Sequence, residues 1–220
     1  MKKIFCFIFA RGGSKRIKNK NLIKIKNKSL LKISIDIAKK INTINKIIVS
    51  SDSVKIINEA KKNKVNYIFR PKKLCTSKSN EFESWKHAIK YFEDKNINFD
   101  YFLSLPTTAP LRKVTDINKL ISTFKRKKFD LMFCVTKTNR YPNYNMVKKN
   151  KKSLQILSKE KINKKKIFDM TTVGYISTPR FIKNSNNIFD GKVGCIEIPR
   201  ERSLDIDDSF DLKVARFLYK

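Results

Sequence analysis

The chain has 220 residues, with 51 Lys and Arg against 19 Asp and Glu, giving a formal charge of +32. Hydrophobic residues make up 40% and aromatic residues 11%, enough for one sizeable core and too many for global disorder. No stretch approaches the ~20 apolar residues of a membrane span, and the four cysteines include no C-x-x-C pair, which argues against a disulfide scaffold or a zinc module and for a reduced, cytoplasmic setting.

In chain order, Ile4 to Phe9 is an apolar run rich in aromatic and β-branched residues and reads as a buried strand. It ends in Ala10-Arg11-Gly12-Gly13-Ser14-Lys15-Arg16, followed by Lys18, Lys20 and Asn21. Two adjacent glycines suit a tight turn whose N–H groups approach a ligand, and the cations around it suit polyphosphate. The patterns G-x-x-x-x-G-K-[ST] and G-x-G-x-x-G are both absent, so neither a P-loop NTPase nor a Rossmann dehydrogenase is indicated.

A helix is predicted over about 29–40 from Leu30, Ile33, Ile37 and Ile41, then a strand over 46–50 ending at Ser51-Asp52. Val54, Ile57 and Ala60 mark a second helix, and 66–69 a third strand ending at Arg70. This alternation implies an α/β fold with a parallel sheet, whose ligands gather at the carboxyl ends of the strands. Phe82, Trp85, Ile89 and Phe92 form a core-facing stripe, and His87, the lone histidine, sits mid-helix with no triad pattern around it. A fourth strand over 101–105 leads into Pro106-Thr107-Thr108-Ala109-Pro110-Leu111-Arg112, a proline-fixed loop offering hydroxyls and a guanidinium. After an amphipathic helix (Ile117 to Phe124, with Thr115 or Asp116 near its N-cap) and a strand over 131–135, residues 138–170 read as an excursion from the sheet. Strands over 173–177 and 193–198 return. A final helix is predicted to bury Phe210, Val214, Phe217 and Leu218.

Ser203-Leu204-Asp205-Ile206-Asp207-Asp208-Ser209 precedes that helix. In extended backbone Asp205 and Asp207 share one side and Ile206 takes the other. Two such carboxylates form a hard oxygen site suited to Mg²⁺, while Asp208 suits the helix N-cap.

Four ordered motifs, Ala10–Lys15 with Lys20-Asn21, Phe69-Arg70-Pro71, Leu105–Arg112, and Ser203–Asp207 with Phe210-Asp211-Leu212, resemble those of the acylneuraminate cytidylyltransferases, also called CMP-sialic acid synthetases. The resemblance implies a Rossmann-like, three-layer, mostly parallel nucleotide-diphospho-sugar transferase fold. It implies one domain over 1–220 with a dimerisation arm at about 138–170, hence a homodimer. It further implies transfer of CMP from CTP to a sialic-acid-like nonulosonic acid, with release of pyrophosphate, for surface glycan synthesis. Carried over residue by residue, Arg11, Gly12, Gly13, Ser14, Lys15, Lys20, Asn21 and Arg70 are expected at CTP, and Thr107, Thr108 and Arg112 at the sugar acid. Asp205 and Asp207 are expected at Mg²⁺, with Arg11 and Lys20 as the phosphate cations. The chain departs from the family pattern at Pro106-Thr107, where many sialic acid enzymes carry Gln-Pro, and at Lys78, which leaves the choice among legionaminic, pseudaminic and N-acetylneuraminic acid open. A glycosyltransferase with an Asp-x-Asp site is the alternative, although its acidic pair would be expected mid-chain. A basic nucleic-acid-binding module is a second. The lysines, however, are spread along the whole chain as solvated helix faces, and Lys164-Lys165-Lys166 lacks interleaved aromatics for base stacking.

Overall fold

Strand β1 (Ile4–Phe9) lies in the interior of the sheet, where its side chains serve two cores at once. Ile4, Cys6 and Ile8 enter one apolar cluster, while Phe5 and Phe7 enter the other. Such a strand, apolar on both faces, belongs to a sheet covered on both sides. The computed structural model describes residues 2–14, 16–76, 79–149, 153–160 and 167–220. Lys15, Lys78 and the Lys164–Lys166 run fall outside them.

After β1 come a short hairpin of β2 (Lys24–Ile25) and β3 (Lys28–Ser29), helix α1 (Leu30–Lys39), β4 (Ile44–Ser51), α2 (Val54–Lys62), β5 (Asn66–Phe69), α3 (Glu81–Glu93) and β6 (Tyr101–Ser104). Helix α4 (Val114–Arg126) and β7 (Leu131–Lys137) follow, then a hairpin of β8 (Val147–Lys149) and β9 (Leu154–Ile156), and β10 (Phe168–Ser177). The chain closes with α5 (Pro179–Asn184), β11 (Val193–Glu197) and α6 (Ser209–Leu218). The seven-stranded sheet has the order β11-β7-β10-β6-β1-β4-β5. β1 pairs in parallel with β4 and β6, β4 with β5, and β7 with β11. β10 runs antiparallel to both its neighbours, so the sheet is mixed but, as expected, mostly parallel.

Helices α1, α2 and α4 cover one face through residues such as Leu31, Ile35, Ile56, Ile117 and Leu120. Helices α3 and α5 cover the other through Phe82, Trp85, Ile89, Phe181 and Ile182. Cys6 and Cys134 lie in the first core, where burial pushes both thiols up to about 12; they are packing residues that stay protonated at neutral pH.

A third, smaller cluster joins Ile25, Leu30 and Ile33 to Ile206, Leu212 and Ala215. It fixes the phase of α6, and that phase differs from the one predicted. Leu212 and Ala215 are the buried residues of α6, whereas Phe210 is 70% and Phe217 88% exposed. Ile206 is fully buried just before the helix, and Asp208 caps it by accepting from the Phe210 and Asp211 N–H groups. Cap and anchor together set which face turns inward, overriding the greater hydrophobicity of the phenylalanine stripe.

Candidate active site

The parallel strands β1, β4, β5 and β6 end on the same rim, and the segments that leave them meet there. The turn after β1 is held by Asp52, the residue that follows β4: its Oδ1 accepts the Gly12 N–H at 2.8 Å. A Cβ on Gly12 would sit 2.9 Å from Ser53 Cβ, so this glycine is needed for close approach to the β4–α2 turn. Its N–H is committed to a carboxylate. The expectation that both glycines aim N–H groups at a ligand is corrected for Gly12, and neither glycine has positive φ.

Three segments far apart in sequence are then tied together. Asn21 is buried; its Nδ2 donates to Arg11 O at 2.8 Å and its Oδ1 accepts from Thr107 Oγ1 at 2.5 Å. Lys20 Nζ donates to Ile206 O at 2.7 Å and lies 3.6 Å from Asp207 Oδ1. The Ile206 N–H donates to Thr108 O at 2.9 Å. The first turn, the Pro106–Arg112 loop and the late acidic segment therefore form one hydrogen-bonded ring.

Within the ring lies a cavity of about 680 Å³. Arg11, Ser14, Lys20, Asn21, Arg70, Thr107, Thr108 and Asp207 line it, so eight of the residues expected from the sequence converge on one space. Arg16, Glu81, Ser84 and Thr172 line it as well. Thr172 reaches the rim because β10 runs antiparallel to β6, with Tyr175 opposite Ser104; a parallel expectation hides it. Arg16 Nη1 pairs with Asp207 Oδ2 at 3.1 Å, a solvent-exposed contact worth little by itself. Arg11 Nη1 reaches across to Thr76 O at 2.8 Å.

Arg112 does not reach the cavity. It is buried beneath the Pro106–Arg112 loop, where Nε donates to Ala109 O at 2.9 Å and Nη2 to Pro106 O. Burial lowers its pKa to about 10, which leaves it charged at neutral pH. Its guanidinium holds the loop's carbonyls, so the expected sugar contact is replaced by support of Thr107 and Thr108 from below. Asp205 is half-buried and its Oδ1 has no hydrogen-bond partner among the described residues. The segment carrying it is held by Arg202, whose guanidinium makes a bidentate pair with buried Asp116 at 2.9–3.1 Å. Asp116 sits in the first turn of α4, where it also accepts the Lys113 N–H at 2.9 Å. Asp211 completes the cap of α6 by accepting from the Asp207 and Asp208 N–H groups.

Glu81 went unmarked in the sequence, hidden as the first helical residue of α3. Desolvation of its carboxyl against the cavity wall raises the pKa, opposed by the Trp85 indole N–H and the Arg70 charge, while the residue as a whole remains exposed at the start of the helix. An ionisable group perturbed in this way inside a cleft is a signal that composition and periodicity do not carry.

This chain, a mixed α/β sheet with a cationic and acidic rim cavity, is by its sequence relationships a nucleotidyltransferase. It belongs to the cytidylyltransferase family, whose model matches residues 5–195. The chain is 28% identical to the post-translational flagellin modification protein B of Campylobacter coli, covering 100% of this chain and 96% of that protein. It is 29% identical to a pseudaminic acid cytidylyltransferase of Campylobacter jejuni, covering 99% of this chain and 97% of that one. Against the N-acylneuraminate cytidylyltransferase of Escherichia coli identity is 28% over 97% of this chain, which spans 51% of that longer protein. Among solved structures, a CMP:2-keto-3-deoxy-manno-octonic acid synthetase complexed with CTP superposes with a TM-score of 0.74 at 13% identity, over 98% of both chains. The 4-diphosphocytidyl-2C-methyl-D-erythritol synthase of Anaerococcus prevotii gives 0.72 at 15%, over 100% of this chain and 99% of that one. At these identities the two structures share the fold.

Proposed function

We propose that the chain transfers CMP from CTP to a sialic-acid-like nonulosonic acid and acts as a single cytidylyltransferase domain over 1–220. The observation that carries this reading is the one cavity in which Arg11, Arg16 and Lys20 face Asp207. Three cations beside an acidic group suit a triphosphate and a hard divalent metal together. The names of the relatives from Campylobacter and Escherichia coli add that 2-keto sugar acids are the acceptor class, with pseudaminic, legionaminic and N-acetylneuraminic acid all represented.

The residues fit Mg²⁺. Asp205 offers a buried carboxylate oxygen without a protein partner among the described residues, and Asp207 presents its carboxylate to the cavity. Asp205 and Asp207 would hold the ion, which would neutralise charge on the triphosphate oxygens. Arg11 and Lys20 bind the phosphates, and Asn21 fixes the turn through its bonds to Arg11 and Thr107. Thr107, Thr108 and Thr172 offer hydroxyls to a polyhydroxylated acceptor. The sugar's anomeric oxygen forms a bond to the α-phosphorus, the bond to the bridging oxygen of the β-phosphate breaks, and pyrophosphate leaves with the electron pair. The hydroxyl proton passes to solvent. Catalysis rests on position and charge, with no covalent enzyme intermediate.

The 138–170 excursion is proposed to pair two copies, supported by the exposed Val147, Leu154 and Met170 around its hairpin; sedimentation of the chain lacking β8 and β9 tests this, and an unchanged dimer removes the arm's role. Among the described residues no helix is long and apolar enough to cross a membrane, and a cytoplasmic enzyme supplying surface glycan synthesis is the proposed setting. The deciding assay is pyrophosphate release from CTP with Mg²⁺ against a panel of nonulosonic acids, with UTP and ATP as controls. Release with at least one acid is expected; silence with all of them rejects the transferase. Asp205→Ala and Asp207→Ala are each expected to abolish release while circular dichroism stays native, and full activity in both rejects the metal assignment.

A further inference from the structure

Two acidic side chains line the cavity, and the proposed reaction uses one of them. Asp207 pairs with Arg16 and Lys20, whereas Glu81 makes no ion pair among the described residues. The Trp85 Nε1–H donates to its Oε1 at 3.3 Å, and the residue lines the cavity. Both proposed substrates are anions, so a carboxylate facing a phosphate or a sugar carboxylate would oppose binding. What it can accept is a neutral N–H donor. Cytosine carries one, the 4-amino group, where uracil carries an acceptor oxygen, and carboxylates are the side chains that accept from that amino group.

The surroundings suit a flat, neutral ring. Phe9 forms part of the wall, with the Arg70 guanidinium 5.9 Å from its ring centroid. Arg70 is more than nine-tenths buried; Nη1 donates to Ser84 Oγ at 3.0 Å, and Nε has no partner among the described residues. Arg70 itself lines the cavity, and cytosine presents acceptors at O2 and N3 to a guanidinium there. One carboxylate acceptor and one guanidinium therefore stand in the same wall, complementary to the donor and acceptor edge of cytosine.

We infer that Glu81 reads the base: its carboxylate accepts the 4-amino N–H of cytosine and selects cytidine over uridine nucleotides. This rests on the nucleotide reading above and assigns base selection within it to a named side chain. The test is titration calorimetry of CTP and of UTP with Mg²⁺ and no sugar acid, on the wild-type chain and on Glu81→Gln, Glu81→Ala and Glu81→Asp. A glutamine amide can accept from cytosine through its oxygen or donate to uracil through its nitrogen. Glu81→Gln is therefore expected to narrow the CTP-to-UTP preference by ~10-fold or more, chiefly through tighter UTP binding. Glu81→Ala loses the preference as well, and Glu81→Asp keeps it at reduced affinity. Glu81 lies on an exposed first turn, so thermal unfolding of the variants should match the wild type. An unchanged preference in both Gln and Ala overturns the inference. So does an unchanged preference accompanied by a raised KM for the sugar acid, which moves Glu81 to the other substrate. If no acid supports turnover while the CTP preference and its loss in Gln persist, the transferase reading fails and the base reader stands.

Discussion

Lys20 holds a structural contact at the cavity wall and, in the proposed reaction, would also serve the chemistry. Its Nζ holds Ile206 O at 2.7 Å and sits 3.6 Å from Asp207, with only 17% of the side chain exposed. The hydrogen bond is a modest contribution to stability, about 1 kcal/mol. A cation preorganised beside a transferring phosphoryl group is worth much more in the transition state, about 3–4 kcal/mol. Lys20→Met, which keeps the apolar stem, is thus expected to lower kcat for pyrophosphate release by ~10²–10³-fold while shifting the urea midpoint only slightly. A variant that unfolds readily yet turns over normally would reverse the two roles. Gly12 gives the opposite balance. Its replacement by Ala drives a Cβ to within 2.9 Å of Ser53 Cβ, an atom that cannot swing aside without moving its backbone. A cost of about 1–3 kcal/mol is expected, as for other overpacked sites, together with a higher Kd for CTP as the turn shifts. Denaturant unfolding and calorimetry read the two effects separately.

At the scale of elements, the acidic segment owes its place to a clasp some distance from the chemistry. Arg202 and Asp116 are 20% and 4% exposed in their side chains, and the pair joins the turn before Asp205 to the first turn of α4. Removing one partner strands a largely buried charge. Arg202→Met is expected to destabilise the chain by about 3 kcal/mol and to raise the Mg²⁺ concentration needed for half-maximal activity. A metal requirement that stays put would show that the clasp supports the fold alone. This pair was invisible in the sequence because its members lie far apart, and Asp116 reads equally well as a helix-cap residue, a role it also fills through Lys113. The same limit explains the other surprises. Apolar runs located the strands, so β5 falls on 66–69 as expected, but a run carries no direction, and the reversal of β10 that brings Thr172 to the rim stayed hidden. Helical period identified α6, yet Ile206 and the Asp208 cap chose its phase and left Phe210 and Phe217 in solvent. Residue type alone offered Arg112 to a ligand, and only burial shows it clamped to Pro106 and Ala109. What the sequence carried well was the convergence of Arg11, Lys20, Arg70, Thr107 and Asp207, since strand ends in such sheets share a rim whatever the packing details.

At the scale of the whole molecule, the formal charge of +32 must be reconciled with a single cavity proposed to take the nucleotide. The helices that follow parallel strands run back across the sheet, so the ends of α1, α2 and α4 lie at the rim opposite the site. Lys40, Lys62 and Lys125 sit at or near those ends, too far away to touch a nucleotide in the cavity. Their influence can act only through the long-range field, whose reach is set by salt: about 30 Å at 10 mM and about 8 Å at 150 mM. Arg11, Arg16 and Lys20 line the cavity, and in the proposed complex they would act at contact range and be screened far less. The two populations of charge should therefore separate in one experiment. Replacing Lys40, Lys62 and Lys125 together by Gln is expected to weaken CTP binding at ~10 mM salt, where the Debye length spans a small domain, and to leave it unchanged at ~150 mM. Arg11→Gln is expected to weaken it at both. If the distant lysines still mattered at the higher salt, they would have to form a binding surface of their own, and the dispersed charge would be a second site; equal loss at every salt concentration is the outcome that overturns the field account.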